Sequence, residues 1–273
     1  MSQSAKIKAR LAEMGVSPKR SLGQNFLVSE WAINKIISSA HQLGADEYIE
    51  VGPGLGSLTE GLMGFQKPLT LIELDREFSQ YWREQGLKVI EEDALSFSWG
   101  QLPLHGPTAL VSNLPYQISS SLVIKLSEGP PQLQHMVLMF QKEVAQRIMS
   151  PAKSKAYGLL SVIAQTYWQI EQLLDVGPKD FLPPPKVASR VLVFHRKPVE
   201  EIHYNQFLSF VKASFSQRRK FLLKNIKGFQ GMVGDLRLQA EEFLLSRGLS
   251  PQVRAEALSP SDFVALYKHL FVG

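Results

Sequence analysis

The 273-residue sequence contains no cysteine. Disulfide bonds and thiolate catalysis are therefore excluded, and a reducing cytoplasmic setting is expected. The sequence also has no run of 18 apolar residues, and five Lys or Arg interrupt its first thirty positions. Neither a membrane span nor a signal peptide is predicted from such a pattern. The remaining composition, 44% hydrophobic and 20% charged, is ordinary for a soluble globular protein.

Acidic residues are scarce at both ends of the chain. Residues 1–30 hold five Lys or Arg against two acids, residues 31–200 hold fifteen against seventeen, and residues 201–273 hold ten against six. Between residues 203 and 228 there is no acid, but there are six basic residues: Lys212, Arg218, Arg219, Lys220, Lys224 and Lys227. This asymmetry indicates a polyanionic partner, with a merely solvated basic helix as the alternative.

From about residue 46, short β-rich runs alternate with helical patterns. The predicted strands are residues 48–51, 69–74, 88–90, 108–112, 136–140, 168–176 and 191–195. Such alternation favours an α/β fold with a mostly parallel sheet and helices on both faces. Gly-Pro and Pro-Pro-Pro turns, rather than a helix, join the last two strands, which predicts an antiparallel hairpin at the sheet edge.

The pattern becomes purely helical after Pro198, which predicts a domain boundary near residues 197–203. Residues 1–199 are predicted to form the α/β domain, and residues 200–273 a small all-α domain whose basic residues suit recognition of a polyanion such as RNA. Within the second domain, the residues predicted to contact RNA are Lys212, Arg218, Arg219, Lys220 and Lys224.

Three successive strand ends carry residues suited to a nucleoside-containing cofactor. A glycine-rich run with Gly52 and Gly54 follows the first strand, and its G-x-G-x-G spacing differs from the dinucleotide fingerprint. Glu73, with Asp75 two positions on, ends the second strand and could accept the hydroxyl hydrogens of a ribose. Asp93 follows the third strand and could accept a hydrogen bond from an adenine amino group. A plain turn, a helix cap and a solvated acidic turn are the respective alternatives.

The fourth strand ends in Asn113-Leu114-Pro115-Tyr116. The amino nitrogen of adenine is a poor nucleophile, because its lone pair is delocalised into the ring. Two acceptors, the Asn113 side-chain oxygen and the Pro115 carbonyl, could hold its two N–H bonds and aim the lone pair at a sulfonium methyl group. Tyr116 offers a flat face for stacking the base. An ordinary Asn-x-Pro turn is the alternative.

With these motifs, the sequence resembles the class I methyltransferases that dimethylate adenine in ribosomal RNA, and most closely the branch that acts on the small subunit. The resemblance covers nearly the whole chain. Its ordered blocks are residues 21–27, 50–59, 113–116, 118–119, 141–145, 157–158, 160–162, 181–187, 218–220 and 254–256. Two small departures are Ser121, where the family often has proline, and a slightly short stretch at residues 75–91.

The resemblance implies a Rossmann-like, seven-stranded class I methyltransferase fold and dimethylation of two adjacent adenosines near the 3′ end of 16S rRNA, in ribosome biogenesis. S-adenosylmethionine is then the methyl donor and no metal is expected. The implied cofactor-binding residues are Asn25, Leu27, Gly52, Gly54, Glu73, Asp93 and Asn113. Phe181 is implied to hold the target base together with Tyr116, although the sequence pattern around it would by itself be interpreted as core packing. Asn25 alone would pass as a helix cap.

The implied partner is small-subunit rRNA or an immature small subunit, with the protein acting as a monomer. Three alternatives stay open. One is the sister group that methylates a large-subunit adenine and confers antibiotic resistance. Another is an assembly factor whose binding matters more than its catalysis, and the third is a nicotinamide-dependent oxidoreductase.

Overall fold

Helices and strands alternate along most of the chain in the computed structural model, which describes residues 2–19, 22–199, 202–229 and 235–272. The strands are β1 (Phe26–Leu27), β2 (Glu47–Val51), β3 (Leu69–Ile72), β4 (Lys88–Ile90), β5 (Thr108–Asn113), β6 (Leu133–Gln141), β7 (Trp168–Val176), β8 (Phe181–Leu182) and β9 (Ser189–Arg196). The helices are α1 (Gln3–Met14), α2 (Glu30–Gln42), α3 (Thr59–Met63), α4 (Arg76–Glu84), α5 (Tyr116–Ser127), α6 (Lys142–Met149), α7 (Leu159–Tyr167), α8 (Tyr204–Ser214), α9 (Leu222–Ile226), α10 (Asp235–Ser246) and α11 (Pro260–Phe271). Among the described residues, no helix is long and apolar enough to cross a membrane.

Seven strands form one sheet in the order β4-β3-β2-β5-β6-β9-β7. Strands β4, β3, β2, β5 and β6 pair in parallel, whereas β6 pairs with β9 in antiparallel register, with Val137 opposite Val193. The predicted mostly parallel sheet with antiparallel pairing towards one edge is therefore confirmed. Because the first five strands are parallel, their carboxyl ends meet at the same edge of the sheet.

The sheet is buried because its central strands are nearly continuous apolar runs. In β5, Ala109, Leu110 and Val111 are all fully buried, as expected for a parallel strand that is covered on both faces. Helix α2 covers one face with Ala32, Ile36 and Ala40, which are four residues apart and lie in the same core cluster as Ala109 and Val111. This packing holds the strands in position, and with them the polar residues at their carboxyl ends.

A separate two-stranded ribbon joins distant parts of the chain. Strand β1 pairs antiparallel with β8, so that Phe26 lies opposite Leu182 and Leu27 opposite Phe181. The Val28 N–H extends the ribbon by donating to the Asp180 carbonyl at 2.8 Å. The sequence patterns did not predict this ribbon, since two residues are too few to show a period.

The chain divides into two compact units, Met1–Ala145 with Gln169–Arg196, and Gln146–Trp168 with Lys197–Gly273. The second unit contains α7 in addition to α8–α11, and it is built around buried rings such as Phe210, whose centroid lies 6.1 Å from that of Tyr267. The sequence division placed the boundary between residues 199 and 200. Residues 200 and 201 lie outside the described part of the chain. The recognition role assigned to the second unit stays a prediction.

Candidate active site

A pocket opens at the carboxyl ends of β2, β3, β4 and β5, where the sequence placed its candidate residues. Its walls come from five stretches of the chain. The lining residues are Leu22, Gly23, Gln24, Asn25, Phe26, Glu50, Val51, Gly52, Pro53, Gly54, Ser57, Leu58, Ile72, Glu73, Leu74, Phe78, Glu92, Asp93, Ala94, Asn113, Leu114, Pro115, Tyr116, Gln117 and Ile118. The candidates on all four strand ends thus share one concave site, as ligand sites of open α/β sheets do.

The glycine-rich loop enters the pocket in a backbone conformation that few other residues adopt. Gly52 has φ +65° and Gly54 has φ +51°. A Cβ atom added to Gly54 would lie 2.9 Å from the Phe26 ring, so a side chain is excluded by contact as well as by conformation. Behind the loop, the Trp82 indole N–H donates to the Gly54 carbonyl at 2.8 Å and holds the turn in place.

Glu73 lies at the end of β3 with its carboxylate fixed by backbone N–H groups. One oxygen accepts from Gly54 at 3.2 Å and the other from Asp75 at 2.8 Å. Burial raises the pKa of Glu73 to about 7. Each oxygen retains a second acceptor position for a ligand hydroxyl. Asp75, by contrast, is not a lining residue: it caps α4 by accepting from the Glu77 N–H at 3.1 Å.

Asp93 and Asn25 also line the pocket, whereas Leu27 does not. Asp93 is half-buried and one of its oxygens accepts from the Leu95 N–H at 2.9 Å, which orients the carboxylate after β4. The Asn25 side chain donates to the Gly23 carbonyl at 3.1 Å. It does not cap α2, whose N-cap residue is Ser29. Leu27 is fully buried in the apolar core.

The Asn113 amide is held in one orientation. Its Nδ2 donates to the backbone carbonyl of Asn25 at 3.0 Å. A carboxamide is planar, so a hydrogen bond from its nitrogen also sets the direction of its oxygen. The Oδ1 atom is consequently the acceptor that the side chain can offer to an amino group in the pocket.

Pro115 and Tyr116 follow at the start of α5. Pro115 is the N-cap residue, and its carbonyl accepts from the Ile118 N–H at 3.2 Å, which leaves a second lone pair. The Tyr116 hydroxyl lies 2.7 Å from the Ser189 Oγ on β9, and burial raises the pKa of this phenol. The bond to Ser189 anchors the hydroxyl end of the Tyr116 side chain, and no sequence pattern indicated this partner.

Phe181 lies in β8 with 3% of its surface exposed and belongs to the same core cluster as Leu27. It is not among the residues that line the pocket. The side chain therefore packs in the core in this conformation. Its contact with a target base stays a prediction.

Glu50 is a site residue that the sequence reasoning missed. This last-but-one residue of β2 lines the pocket with 2% of its surface exposed, and burial raises its pKa to about 8. Its Oε2 atom accepts no hydrogen bond from any described residue. An unpartnered buried carboxylate oxygen is costly and is a natural place for a cationic ligand group. The available signal was an acid two positions before the first glycine of the loop, within a predicted strand, residues 48–51, whose other members are apolar.

The segment before β1 also contributes more than was predicted. Gln24 donates from Nε2 to Asp75 at 2.8 Å, and Lys19 Nζ donates to the other oxygen of Asp75 at 3.0 Å and to Glu77 at 2.7 Å. These bonds raise the pKa of Lys19, with the bond to Glu77 as the largest cause. The segment is thus tied to the start of α4 while Asn25 holds Asn113.

The basic residues predicted to contact RNA all lie in the second compact unit and are all exposed. Arg218 is partly engaged, because its Nη2 donates to the Lys155 carbonyl at 3.0 Å and to Glu256 at 3.1 Å. Lys224 lies 5.5 Å from the centre of the Phe221 ring. Neither Arg219 nor Lys220 forms an ion pair within the described residues.

Comparison with known proteins decides the class of this site. The model of the family described as ribosomal RNA adenine dimethylase matches residues 15–270. The chain belongs to the ribosomal RNA adenine dimethylase family. It is similar to ribosomal RNA small subunit methyltransferase A of Bdellovibrio bacteriovorus, with 52% identity over 256 residues, 94% of this chain and 93% of the relative. The protein of the same name from Syntrophotalea carbinolica is 39% identical over 262 residues, covering 92% and 96% of the two chains.

Two solved structures share the fold of this chain. A dimethyladenosine transferase from Plasmodium falciparum superposes with a TM-score of 0.70 at 24% identity, covering 88% of this chain and 95% of the other. The 23S rRNA methyltransferase ErmE gives 0.64 at 23% identity, covering 90% and 99%. At these identities the likeness shows the fold, a class I methyltransferase sheet followed by a helical region.

Proposed function

We propose that the protein transfers methyl groups from S-adenosylmethionine to the N6 amino groups of two adjacent adenosines near the 3′ end of 16S rRNA, in ribosome biogenesis. The observation that carries this proposal is the Asn113 amide, whose nitrogen is bound by the Asn25 carbonyl and whose oxygen is thereby assigned as an acceptor. The membership in the ribosomal RNA adenine dimethylase family supports the same reaction.

Four features of the pocket fit S-adenosylmethionine. The unpartnered carboxylate oxygen of Glu50 suits the ammonium group of the cofactor, and the free acceptor positions of Glu73 suit the two hydroxyls of its ribose. Asp93, which lines the same pocket, would accept from the adenine amino group, while the backbone at Gly52 and Gly54 would allow close approach. The cofactor supplies an electrophilic methyl group on a sulfonium centre.

The residues of the fourth strand end prepare the base. Asn113 Oδ1 and the Pro115 carbonyl would accept the two N–H bonds of the target amino group, which draws the nitrogen towards a tetrahedral shape. This orientation makes its lone pair available without prior removal of a proton. The Tyr116 ring, held through its hydroxyl by Ser189, would stack on the base. We keep Phe181 as a second base contact, which requires it to move out of the core.

We infer that the second compact unit recognises small-subunit rRNA or an immature small subunit in the cytoplasm, with the protein acting as a monomer. Phosphate contacts from Arg219, Lys220 and their basic neighbours would orient a structured RNA without reading its sequence. Replacing Arg218, Arg219 and Lys220 together by alanine should weaken RNA binding and flatten its salt dependence by roughly 0.7–0.9 log unit per lost phosphate contact.

The test is methylation by the purified protein, followed by mass spectrometry of the RNA. Unmodified 16S rRNA and small subunits are incubated with S-adenosylmethionine, and 23S rRNA serves as the competing substrate. Dimethyladenosine at two adjacent positions near the 3′ end of 16S rRNA is the expected product. Modification of 23S rRNA alone would point to the antibiotic-resistance branch. Binding of small subunits without any methyl transfer would leave an assembly role.

A further inference from the structure

The loop between α6 and α7 has an unusual backbone for its sequence. Lys153 has φ +68°, one of two non-glycine residues with a positive φ in the described part of the chain. The side chain of a lysine gains nothing from this left-handed conformation, which costs free energy for any residue with a Cβ atom. Such a conformation persists only where surrounding contacts enforce it.

Those contacts are present within the second compact unit. The Lys153 N–H donates to the Glu256 carbonyl at 2.7 Å. Two residues on, the Lys155 carbonyl accepts from Arg218 Nη2 at 3.0 Å, and the same nitrogen donates to the Glu256 carboxylate at 3.1 Å. Ser154 closes the turn by donating from Oγ to the Pro151 carbonyl at 2.7 Å. Arg218 and Glu256 together hold the backbone of the loop at two points.

The side chains of Lys153 and Lys155 are exposed, although the backbone of the loop is held by Arg218 and Glu256. Neither Lys153 nor Lys155 forms an ion pair within the described residues, and the nearest carboxylate in these contacts, that of Glu256, is engaged by Arg218. Because Arg218 touches the loop directly, the two lysines lie near the guanidinium group of the residue that begins the basic run Arg218-Arg219-Lys220. A rigid backbone that presents unpaired cations suits the phosphates of a polyanion.

We propose that residues 151–156, the lysine loop, form a second phosphate-binding element that continues the surface of Arg219 and Lys220. In this arrangement Arg218 is a positioning residue, which acts by holding the loop through its carbonyl. The proposal rests on the proposed function, because the partner is the structured RNA substrate of the enzyme. It adds two contacts from a segment that precedes the C-terminal helices by about fifty residues.

The salt dependence of RNA binding tests the loop. For the full-length protein, the affinity for a 16S rRNA fragment containing the target adenosines is measured from low to physiological salt. The double variant Lys153→Ala with Lys155→Ala should reduce the magnitude of the slope of log K against log salt by about 1.4–1.8, which is the value for two lost phosphate contacts. S-adenosylmethionine affinity should stay unchanged. Lys88→Ala, an exposed lysine at the start of β4, is the matched control and should keep the parental slope.

Two further variants separate the loss of RNA contacts from a loss of stability. Lys153→Gly relieves the positive φ, so the melting temperature should rise while RNA binding weakens. Arg218→Lys keeps the charge but replaces the planar guanidinium by a tetrahedral ammonium on a different stem, so the two hydrogen bonds of Nη2 to the carbonyl and the carboxylate should weaken. If Arg218 acts through the loop, adding Arg218→Lys to the double alanine variant should weaken RNA binding by less than it does in the parent.

The outcomes are distinguishable from failure of the proposed function. If the parental protein methylates the RNA and the double alanine variant retains the parental salt slope, the phosphate-binding role of the lysine loop is refuted. The proposed function is then unaffected. Fully additive effects of Arg218→Lys and the loop substitutions would overturn the positioning role. A parental protein that neither binds nor methylates the RNA would instead overturn the proposed function.

Discussion

Replacing Asn113 by alanine separates its chemical role from its structural one. In the structure the side chain makes one hydrogen bond, from Nδ2 to the Asn25 carbonyl at 3.0 Å. This bond orients Oδ1 as an acceptor for the amino group of the base. Alanine removes the hydrogen bond of Nδ2 and the acceptor oxygen Oδ1. The folded state therefore loses one hydrogen bond, and catalysis loses the group that orients the nucleophilic nitrogen.

The two losses differ greatly in size. A hydrogen bond of this kind contributes about 0.5–1.5 kcal/mol to stability. For a chain of this length that corresponds to a decrease in melting temperature of up to about 6 °C. Removal of a preorganised polar group at a reacting centre lowers the rate constant by about 10²–10³-fold. Asn113→Ala should thus fold normally and methylate slowly.

Single-turnover methylation at saturating RNA and S-adenosylmethionine, with nucleosides quantified by mass spectrometry, measures this rate. Ser112→Ala is the matched control, because Ser112 Oγ donates to the Val51 carbonyl at 2.5 Å yet Ser112 does not line the pocket. It should lose similar stability and keep most of the rate. Parental methylation by Asn113→Ala would refute the mechanism. An equal rate loss in Ser112→Ala would assign the effect to the strand end rather than to the amide.

Substitutions at three further residues test the rest of the pocket. Glu73→Ala should weaken S-adenosylmethionine binding by about 1–3 kcal/mol in calorimetry, and an unchanged affinity would remove Glu73 from the site. Tyr116→Phe loses the bond to Ser189 but keeps the stacking ring, so single-turnover rates should fall less than in Tyr116→Ala; equal losses would argue against stacking. Burial raises the pKa of Glu50 to about 8, so the free energy of unfolding should decrease as pH rises from about 4.5 through 8 and the buried carboxyl group loses its proton. A bound cationic group would offset this cost. Cofactor affinity in the parent should therefore rise over this range, with the Glu50 proton contributing at most about tenfold per pH unit, while Glu50→Gln should show a flatter profile and higher thermal stability at pH 9; parallel profiles would refute this role.

The sheet could be predicted from the sequence because its strands are short apolar runs with clear turn residues on either side. Strand β7 was predicted with the bounds that the structure has, and β4 likewise. The strand ends then placed Glu73, Asp93 and Asn113 at one edge, since parallel strands share their carboxyl ends. This much depends on local pattern and on one topological rule.

The remaining parts of the site depend on contacts between distant residues. No local pattern indicates that Asn25 holds Asn113, 88 positions later, or that Ser189 fixes Tyr116. The burial of Glu50 could not be read from the sequence either, because an acid before a glycine loop is equally compatible with a solvated turn. Strand propensity failed for β1 for a related reason, since its pairing with β8 is set by tertiary structure.

The β1–β8 ribbon also bears on the order in which the molecule can mature during synthesis. Phe26 forms one wall of the pocket, and its strand is paired with residues 181 and 182. A nascent chain that ends before these residues can assemble the parallel strands from β2 to β6, but it leaves the Phe26 wall without its partner strand. Contacts of such long sequence separation close late, because the intervening loop entropy must first be overcome. The ligand site is consequently completed after the parallel strands β2 to β6, when about two-thirds of the polypeptide has left the ribosome.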